Sequence, residues 1–289
     1  TTNDSTSGVF FRAVAGRTYS IAVDGYLGAS GFIVLNLTPS SNPSAVYATD
    51  FEAFTTGSGQ LVGLDQWTEL FAPASGGAQG ILAQGIPGQG RGGYLGFGAP
   101  AFGTDTTPTS VYVYRPLNFD PVTEGVPIVQ VRADVLIVGS TNGRNDVFRL
   151  SLFNKTGYPL GGFYFDTANL KVSTSNGAAI ATSDATFAFN TRYTILGTFN
   201  FTTKRWTARM NGVDLTVDSA FAVGSTTGVD VGDFDFVWTL SNGERLPGDN
   251  FIVFDNFAIT ADPEPTAIPV LQLPPAPTGV LGTPLAYGL

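Results

Sequence analysis

Alternation of apolar and polar side chains, with a period of two residues, is the feature of this sequence that most limits its fold. Residues 129–137 show it most clearly, and residues 148–152, 193–201 and 234–240 repeat it. A β-strand places successive side chains on opposite faces, so each segment buries one face and leaves the other in solvent. No segment combines a sustained helical period with a capping signal. The sequence therefore predicts an all-β protein.

Turn signals separate the alternating segments. Asn-Gly pairs occur at Asn142-Gly143, Asn176-Gly177, Asn211-Gly212 and Asn242-Gly243. Both residue types tolerate the positive φ that tight hairpins need. Charged residues make up only 13% of the chain, and its 36 glycines suit many short connections. A long series of short strands joined in this way predicts an antiparallel jelly-roll β-sandwich.

Composition excludes several classes of function. The chain has a net charge of −9 and no basic run, which argues against nucleic acid as a partner. No apolar run reaches the ~18 residues of a transmembrane helix, so we expect no membrane insertion. The chain has no Cys and no His, which removes disulfides, thiolate and imidazole metal sites and Ser-His-Asp catalysis. The closest candidate for paired catalytic acids is Asp233 with Asp235, on one strand face, and hydrolysis of a glycoside needs two facing carboxylates. We expect no enzymatic activity.

Composition also divides the chain into four segments. Residues 1–38 contain three predicted strands, and residues 39–47 form a linker rich in Pro and Ser. Residues 48–260 carry the main series of strands. Residues 261–289 are rich in Pro but also apolar, which predicts an extended tail that packs on another surface rather than a free linker.

The first segment resembles a known bacterial domain. The runs Phe11–Tyr26 and Gly31–Leu37 are similar to the closing half of bacterial pre-peptidase C-terminal (PPC-like) domains. Those domains are small extracellular β-sandwiches appended to secreted enzymes and surface proteins. The resemblance implies that the opening strands of the domain are missing from this sequence.

The main segment resembles concanavalin-like, LamG-type jelly rolls and related carbohydrate-binding modules. The resemblance rests on Asp50-Phe51-Glu52, Gly63-Leu64-Asp65-Gln66-Trp67 and Phe254-Asp255-Asn256-Phe257-Ala258-Ile259. It implies a carbohydrate-binding jelly roll. Both resemblances imply an extracellular or cell-surface protein, of bacterial origin, and the opening Thr1-Thr2-Asn3-Asp4 is what a processed secreted chain would show.

The same resemblance suggests a structural Ca²⁺ ion. Glu52 and Asp255 match the places of an early Glu and a late-strand Asp that help to hold Ca²⁺ in related modules, and Asp50 is a further candidate ligand. In a period-two register, Asp255 shares its face with Phe251 and Phe257 and should point inward, where a carboxylate needs a cation or several donors. An ion pair with Arg or a hydrogen bond within a turn would satisfy Asp255 equally well.

Four side chains are candidates for contact with a sugar. Trp67 follows a Gly-rich approach and is the one Trp predicted to be exposed, since Trp206 and Trp238 alternate with polar residues on predicted core faces. The other three candidates lie at polar positions of predicted strands and could line a concave face: Arg132, Arg149 and Arg209. Such residues also simply solvate an outer sheet, and nothing in the sequence specifies a sugar.

The ends of the chain suggest assembly. A sandwich without its first strands exposes an unpaired edge and an open core, and a strand donated by another copy would cover both. The candidate acceptor residues are Phe10, Tyr19, Ile21 and Phe32, and the candidate donor residues are Ile268, Val270, Leu271 and Leu273. We therefore expect a self-assembling surface or fibre subunit, with a Ca²⁺-dependent, glycan-binding lectin-like module as the alternative. A fragment whose missing strands lie upstream in a longer chain would explain the ends as well.

Overall fold

The computed structural model describes residues 44–70, 78–96, 109–176, 180–181, 184–222, 229–241 and 246–263. All of them belong to one compact unit that extends from residue 40 to residue 264. The predicted PPC-like strands, the Pro-rich tail after residue 263 and all eight candidate assembly residues lie outside the described residues. No helix of the described residues is long and apolar enough to cross a membrane.

Sixteen strands make up the regular structure of the described residues. In chain order they are β1 (Ser44–Thr49), β2 (Gly57–Ser58), β3 (Thr68–Leu70), β4 (Gln79–Leu82), β5 (Gly92–Leu95), β6 (Ser110–Phe119), β7 (Ile128–Val138), β8 (Val147–Phe153), β9 (Pro159–Asp166), β10 (Lys171–Ser175), β11 (Ile180–Ala181), β12 (Arg192–Asn200), β13 (Arg205–Met210), β14 (Val213–Ala220), β15 (Val231–Thr239) and β16 (Phe251–Asp262). The strand β1 begins inside the predicted linker and pairs with β16.

The strands form two antiparallel sheets. The back sheet has nine strands in the order β14-β13-β12-β7-β16-β5-β4-β2, with β1 also paired to β16. The front sheet has seven strands in the order β11-β10-β9-β8-β15-β6-β3. Aromatic rings join the inner faces of the two sheets, since Phe236 of β15 stacks on Phe254 of β16 with 3.9 Å between ring centroids. The predicted antiparallel β-sandwich is therefore confirmed.

The predicted alternation explains the core. Val129, Val131 and Val135 of β7 are buried and face Phe148 and Leu150 of β8 in one continuous apolar cluster. Each fully buried aliphatic or aromatic side chain contributes about 2 kcal/mol relative to exposure. Trp206 and Trp238 are buried, as their patterns predict. The segments with the clearest period of two thus supply the strands that hold the sandwich together.

The Asn-Gly turns differ in what they connect. Asn211 and Gly212 both have positive φ, at 49° and 79°, and join β13 to its antiparallel neighbour β14. Asn142-Gly143 instead lies on the connection from β7 in the back sheet to β8 in the front sheet. The pair is therefore a crossover between sheets rather than a hairpin.

A β-bulge in β16 overturns the predicted orientation of Asp255. The pairing of β16 with β7 shifts register between Asp255 and Ala258, and Asn256 has a positive φ of 47°. Ile252 and Phe254 face the core before the bulge, and Phe257 faces it afterwards. Asp255 consequently shares the outer face with Val253 and does not share a face with Phe257, because the extra residue inverts the alternation.

Candidate functional site

A groove of about 400 Å³ crosses the outer face of the front sheet. Its walls and floor come from β6, β8, β9 and β15 and from the segment that follows β15. The side chains of Tyr112, Arg149 and Tyr164 line it, together with the hydroxyl groups of Ser110 and Thr239. Those two hydroxyl groups are 2.8 Å apart and hydrogen-bonded across β6 and β15.

Strand register places three groove-lining residues, Tyr112, Arg149 and Tyr164, in one straight row with the buried Val237. Tyr112 of β6 lies opposite Val237 of β15, Val237 lies opposite Arg149 of β8, and Arg149 lies opposite Tyr164 of β9. We call these four residues the central row. Neighbouring strands are separated by about 4.8 Å, so Tyr112 and Tyr164 stand roughly 14 Å apart with Arg149 between them.

Alternation also explains why the central row faces outward. Phe236 and Trp238 of β15 and Phe148 and Leu150 of β8 fill the core, so the residues between them must point to the opposite face. Val237 and Arg149 are those residues. The row therefore follows directly from the core pattern of its own strands.

Arg149 carries the positive charge of the groove. Its Nε atom is buried without a hydrogen-bond partner. The ion pairs within 4.0 Å among the described residues do not involve Arg149. Tyr164 beside it has a pKa raised above its ordinary value, first by burial and then by the charge of Asp166. Its hydroxyl group is therefore neutral and able to donate a hydrogen bond.

Two acids lie on the same outer face, beside the central row. Asp235 is opposite Tyr114 on β6 and Ser151 on β8, and it is 7% exposed. Burial, followed by the charge and hydrogen bond of Asp233, raises the pKa of Asp235 well above its ordinary value. Burial also raises the pKa of Asp233. The Oδ1 atom of Asp235 is buried without a hydrogen-bond partner.

One end of the groove is fixed by the buried carboxylate of Asp146. Asp146 immediately precedes β8 and accepts hydrogen bonds from the backbone N–H groups of Ser241 and Gly248, at 3.3 Å and 2.6 Å. Ser241 lines the groove. The contacts hold the segment after β15 against the start of β8, which sets the position of the groove wall.

Trp67 does not lie at the surface, and its predicted exposure is wrong. The ring is 1% exposed and packs on Phe236, Phe254 and Phe257 in the core. Its Nε1–H donates to the hydroxyl oxygen of Tyr47 at 2.9 Å. A buried Trp with a partner for its N–H is well satisfied, and the Gly-rich approach only brings the chain from the surface into the core.

The three predicted Arg candidates are not brought together. Arg149 lines the groove on the front sheet, whereas Arg132 and Arg209 lie on the back sheet, each 48% exposed. Arg132 is 3.7 Å from Asp134, and Arg209 is 2.6 Å from Asp214. The alternating pattern gives the outer face of each strand but not the sheet to which the strand belongs.

The three candidate calcium ligands lie in one region, at the bulge of β16. Asp255 is 1% exposed; its Oδ1 accepts from Asn256 N at 2.6 Å, and its Oδ2 has no partner. Burial, together with the charges of Asp134, Asp50 and Glu52, raises the pKa of Asp255 to about 6, although the hydrogen bond from Asn256 N lowers it. Glu52 accepts a hydrogen bond from Arg91 N at 2.6 Å.

The fit of a cation to this region rests on that unpaired oxygen. Among the described residues, no group of three or more Asp or Glu side chains is arranged to hold a metal ion. A cation would therefore need backbone oxygens beside Asp255 and one further carboxylate, which is a donor set that Ca²⁺ accepts. The predicted pairing of Asp255 with Arg does not occur within 4.0 Å among the described residues.

Comparisons with known proteins concern the fold. No protein-family profile matches the chain, and no curated protein matches it. Solved structures that match include a sialidase, at 8% identity over 75% of this chain and 19% of that chain with a TM-score of 0.47. The carbohydrate esterase vb_24B_21 of the Shiga toxin-encoding bacteriophage phi24B matches at 11% identity over 76% and 100% of the two chains, with a TM-score of 0.48.

A third match is arcelin-5, a lectin-like defense protein from Phaseolus vulgaris. It has 7% identity over 68% of this chain and 97% of that chain, with a TM-score of 0.42. This chain spans about a fifth of the length of the matched sialidase. All three TM-scores are below 0.5, and these similarities assign no activity to this chain. The resemblances to PPC-like and LamG-type domains stay predictions.

Sequence analysis missed the two tyrosines of the groove. Tyr112 occupies a polar position between Val111 and Val113 on β6, and Tyr164 lies between Phe163 and Phe165 on β9. An aromatic residue at an outward position of an otherwise alternating strand is the signal that could have found them. Their alignment with Arg149 depends on strand pairing, which the alternation does not show.

Proposed function

We propose that this protein binds an oligosaccharide segment in the groove of the front sheet. The central row carries the proposal, because it places two tyrosines on either side of a guanidinium group at the floor of a concave site. Ligand sites in proteins are typically concave and combine apolar or aromatic surface with a few polar groups that fix orientation. Tyr rings offer an apolar face to the C–H groups of a sugar and a hydroxyl group to its oxygens.

The direction of the groove supports a chain laid across the strands. Tyr112 and Tyr164 are separated by three strand spacings, about 14 Å, which accommodates a short oligosaccharide rather than a single sugar. Ser110 and Thr239 supply hydroxyl groups along one side. The side chains needed for contact thus lie along one line over four neighbouring strands.

The binding is proposed to be non-enzymatic. Asp233 and Asp235 are two residues apart on one face of β15, and the charge of Asp233 helps to raise the pKa of Asp235. Hydrolysis of a glycoside uses two carboxyl groups on opposite sides of the scissile bond, about 5–10 Å apart. Two acids on the same face of one strand offer no such opposition, which favours a binding role.

A cation at the bulge of β16 is proposed as structural support. Asp255 Oδ2, with Glu52 and Asp50 nearby, would hold it on the outer face of the back sheet, on the opposite side of the sandwich from the groove. When bound, the cation would neutralise buried negative charge. It would contact neither Arg149 nor the two tyrosines, so its role would be stability rather than recognition.

Glycan-array screening followed by calorimetric titration tests the proposed function. We expect saturable binding by the full chain and a loss of at least about tenfold in affinity for Tyr164→Ala, because one stacking ring is removed. Tyr158→Ala is a matched control, since Tyr158 is 55% exposed and does not line the groove. A silent array, or equal losses from both variants, would contradict a binding role for the groove.

A further inference from the structure

We infer that the groove selects glycans that carry an anionic substituent, a carboxylate or a sulfate ester, and that Arg149 binds this substituent. The inference rests on the proposed function and names the class of its ligand. Arg149 lies between the two tyrosines of the row, next to Tyr164 and separated from Tyr112 by Val237. A sugar stacked over the row would therefore present its substituents to the guanidinium group.

The guanidinium group of Arg149 lacks a counter-charge at ion-pair distance among the described residues. Arg205 and Arg209 on the back sheet differ from Arg149, because Arg205 has Asp218 at 2.8 Å and Arg209 has Asp214 at 2.6 Å. An arginine fork matches a planar carboxylate or a sulfate through two parallel N–H···O bonds. Arg149 thus has a positive charge and N–H donors that are available to a ligand in the groove.

The acids nearest to Arg149 do not replace the missing partner. Asp166, beside Tyr164, already accepts hydrogen bonds from Ala168 N, Asn169 N and Asn169 Nδ2 within its own turn. Asp235 is buried beside Asp233, which raises its pKa, and the charge of Arg149 lowers that pKa in part, without an ion pair between Arg149 and Asp235 within 4.0 Å among the described residues. Among the described residues, no acid is therefore paired directly with Arg149, and a ligand anion could take that place.

The cost of removing water from Arg149 determines whether a neutral or an anionic sugar binds more tightly. A sugar that covers Arg149 removes water from the guanidinium group, which is costly unless charge or strong hydrogen bonds replace the water. Hydroxyl groups restore part of that loss, whereas an anion restores charge as well as hydrogen bonds. The observed arrangement consequently favours an anionic substituent.

Paired ligands separate this inference from the proposed function. The probes are oligogalacturonate with its carboxyl-reduced form, a sulfated galactan oligosaccharide with its desulfated form, and a neutral cello-oligosaccharide. Titration of the full chain should show roughly 10- to 100-fold tighter binding of an anionic form than of its neutral counterpart. The carboxylated and sulfated pairs then show which anion is preferred, and affinity should fall as NaCl is raised.

Two substitutions of Arg149 locate the effect. Arg149→Gln should remove the preference for the anionic member of each pair, and Arg149→Lys should keep part of it, because charge remains without the planar fork. Arg205→Gln is the control, since Arg205 lies on the back sheet. Melting temperatures of all variants show that loss of binding is not loss of folding.

The outcomes are distinguishable. Equal affinity for the anionic and neutral members of both pairs, with binding still sensitive to Tyr164→Ala, would overturn the anionic ligand and leave the groove as a neutral glycan site. A preference for anions that survives in Arg149→Gln would overturn the role of Arg149. Absence of binding to every probe and to the array would overturn both the inference and the proposed function.

Discussion

The indole Nε1–H of Trp238 donates a hydrogen bond of 3.0 Å to Oδ2 of Asp146, at a point where both residues are buried. Trp238 belongs to the core face of β15, and Asp146 holds Ser241 and Gly248 through its two oxygens. The core ring, the start of β8 and the wall of the groove are therefore joined at one carboxyl group. Substitution of Asp146 should therefore lower both the stability of the fold and the affinity of the groove for its ligand.

Asp146→Asn tests that connection. Asp146 accepts from three N–H donors, and the amide of Asn would place its own NH₂ group against at least one of them. We expect the free energy of unfolding to fall by about 2 kcal/mol, since a buried donor is left without a partner. Urea unfolding measures the loss. Asp214→Asn, at an exposed ion pair, should cost under about 1 kcal/mol, and an equal effect of the two variants would contradict the role given to Asp146.

Asp134 and Asp235 are both buried, but their pKa values are shifted in opposite directions. Burial alone would raise the pKa of Asp134, but hydrogen bonds from Thr194, Gln89 and Asn256 and the charge of Arg192 lower it. Asp134→Asn should therefore lower the free energy of unfolding at neutral pH, by about 2 kcal/mol, because it removes charge-assisted hydrogen bonds.

Asp235→Asn should behave in the opposite way. The pKa of Asp235 is raised in the folded state, so its contribution to stability is complete below the ordinary Asp pKa and is lost as pH rises through the folded-state pKa. An Asn at this position stays neutral. The variant should therefore gain stability relative to the unsubstituted chain as pH rises, as measured by urea unfolding between pH 4 and pH 9. A constant difference over that range would contradict a raised pKa.

Asp249 gives a prediction at acid pH. Its carboxylate accepts hydrogen bonds from Ser140 Oγ, Thr141 N, Thr141 Oγ1 and Asn142 N, and these lower its pKa despite partial desolvation. Stability from this group is present above the ordinary Asp pKa of about 3.9 and is lost as pH falls through the folded-state pKa. The difference in melting temperature between the unsubstituted chain and Asp249→Asn should be largest near neutral pH and shrink below about pH 4. A difference that grows in acid would refute the assignment.

The features of the fold that depend on alternation could be predicted from the sequence. The features that depend on which strands pair, or on an extra residue in a strand, could not. The strands around Val131, Phe148 and Phe236 follow from a period of two, because burial of one face leaves no other arrangement. The groove does not, since the alignment of Tyr112, Arg149 and Tyr164 requires the order of strands within the front sheet.

Two further errors have local causes. The bulge after Asp255 inserts a residue into the pairing of β16 with β7. The pattern of apolar residues in the sequence does not indicate this insertion. The burial of Trp67 goes with a partner for its N–H, the hydroxyl group of Tyr47, which lies on the distant strand β1. Both features result from contacts between residues far apart in the sequence. The local alternation of apolar and polar residues carries no information about such contacts.

If Ca²⁺ binds at Asp255, the order of stability of the unsubstituted chain and Asp255→Asn should reverse when Ca²⁺ is added. Without a cation, the buried Oδ2 of Asp255 has no partner and lies in the field of Asp50 and Glu52, so Asp255→Asn should raise the melting temperature in chelator. With Ca²⁺ in large excess over its Kd, the unsubstituted chain should gain about 3 kcal/mol and become the more stable of the two, since the ion binds the folded state alone. Thermal unfolding of both proteins in chelator and in Ca²⁺ measures the crossing. Identical responses to Ca²⁺ would show that Asp255 does not bind the ion, because a ligand that lost its charge could not hold it equally well.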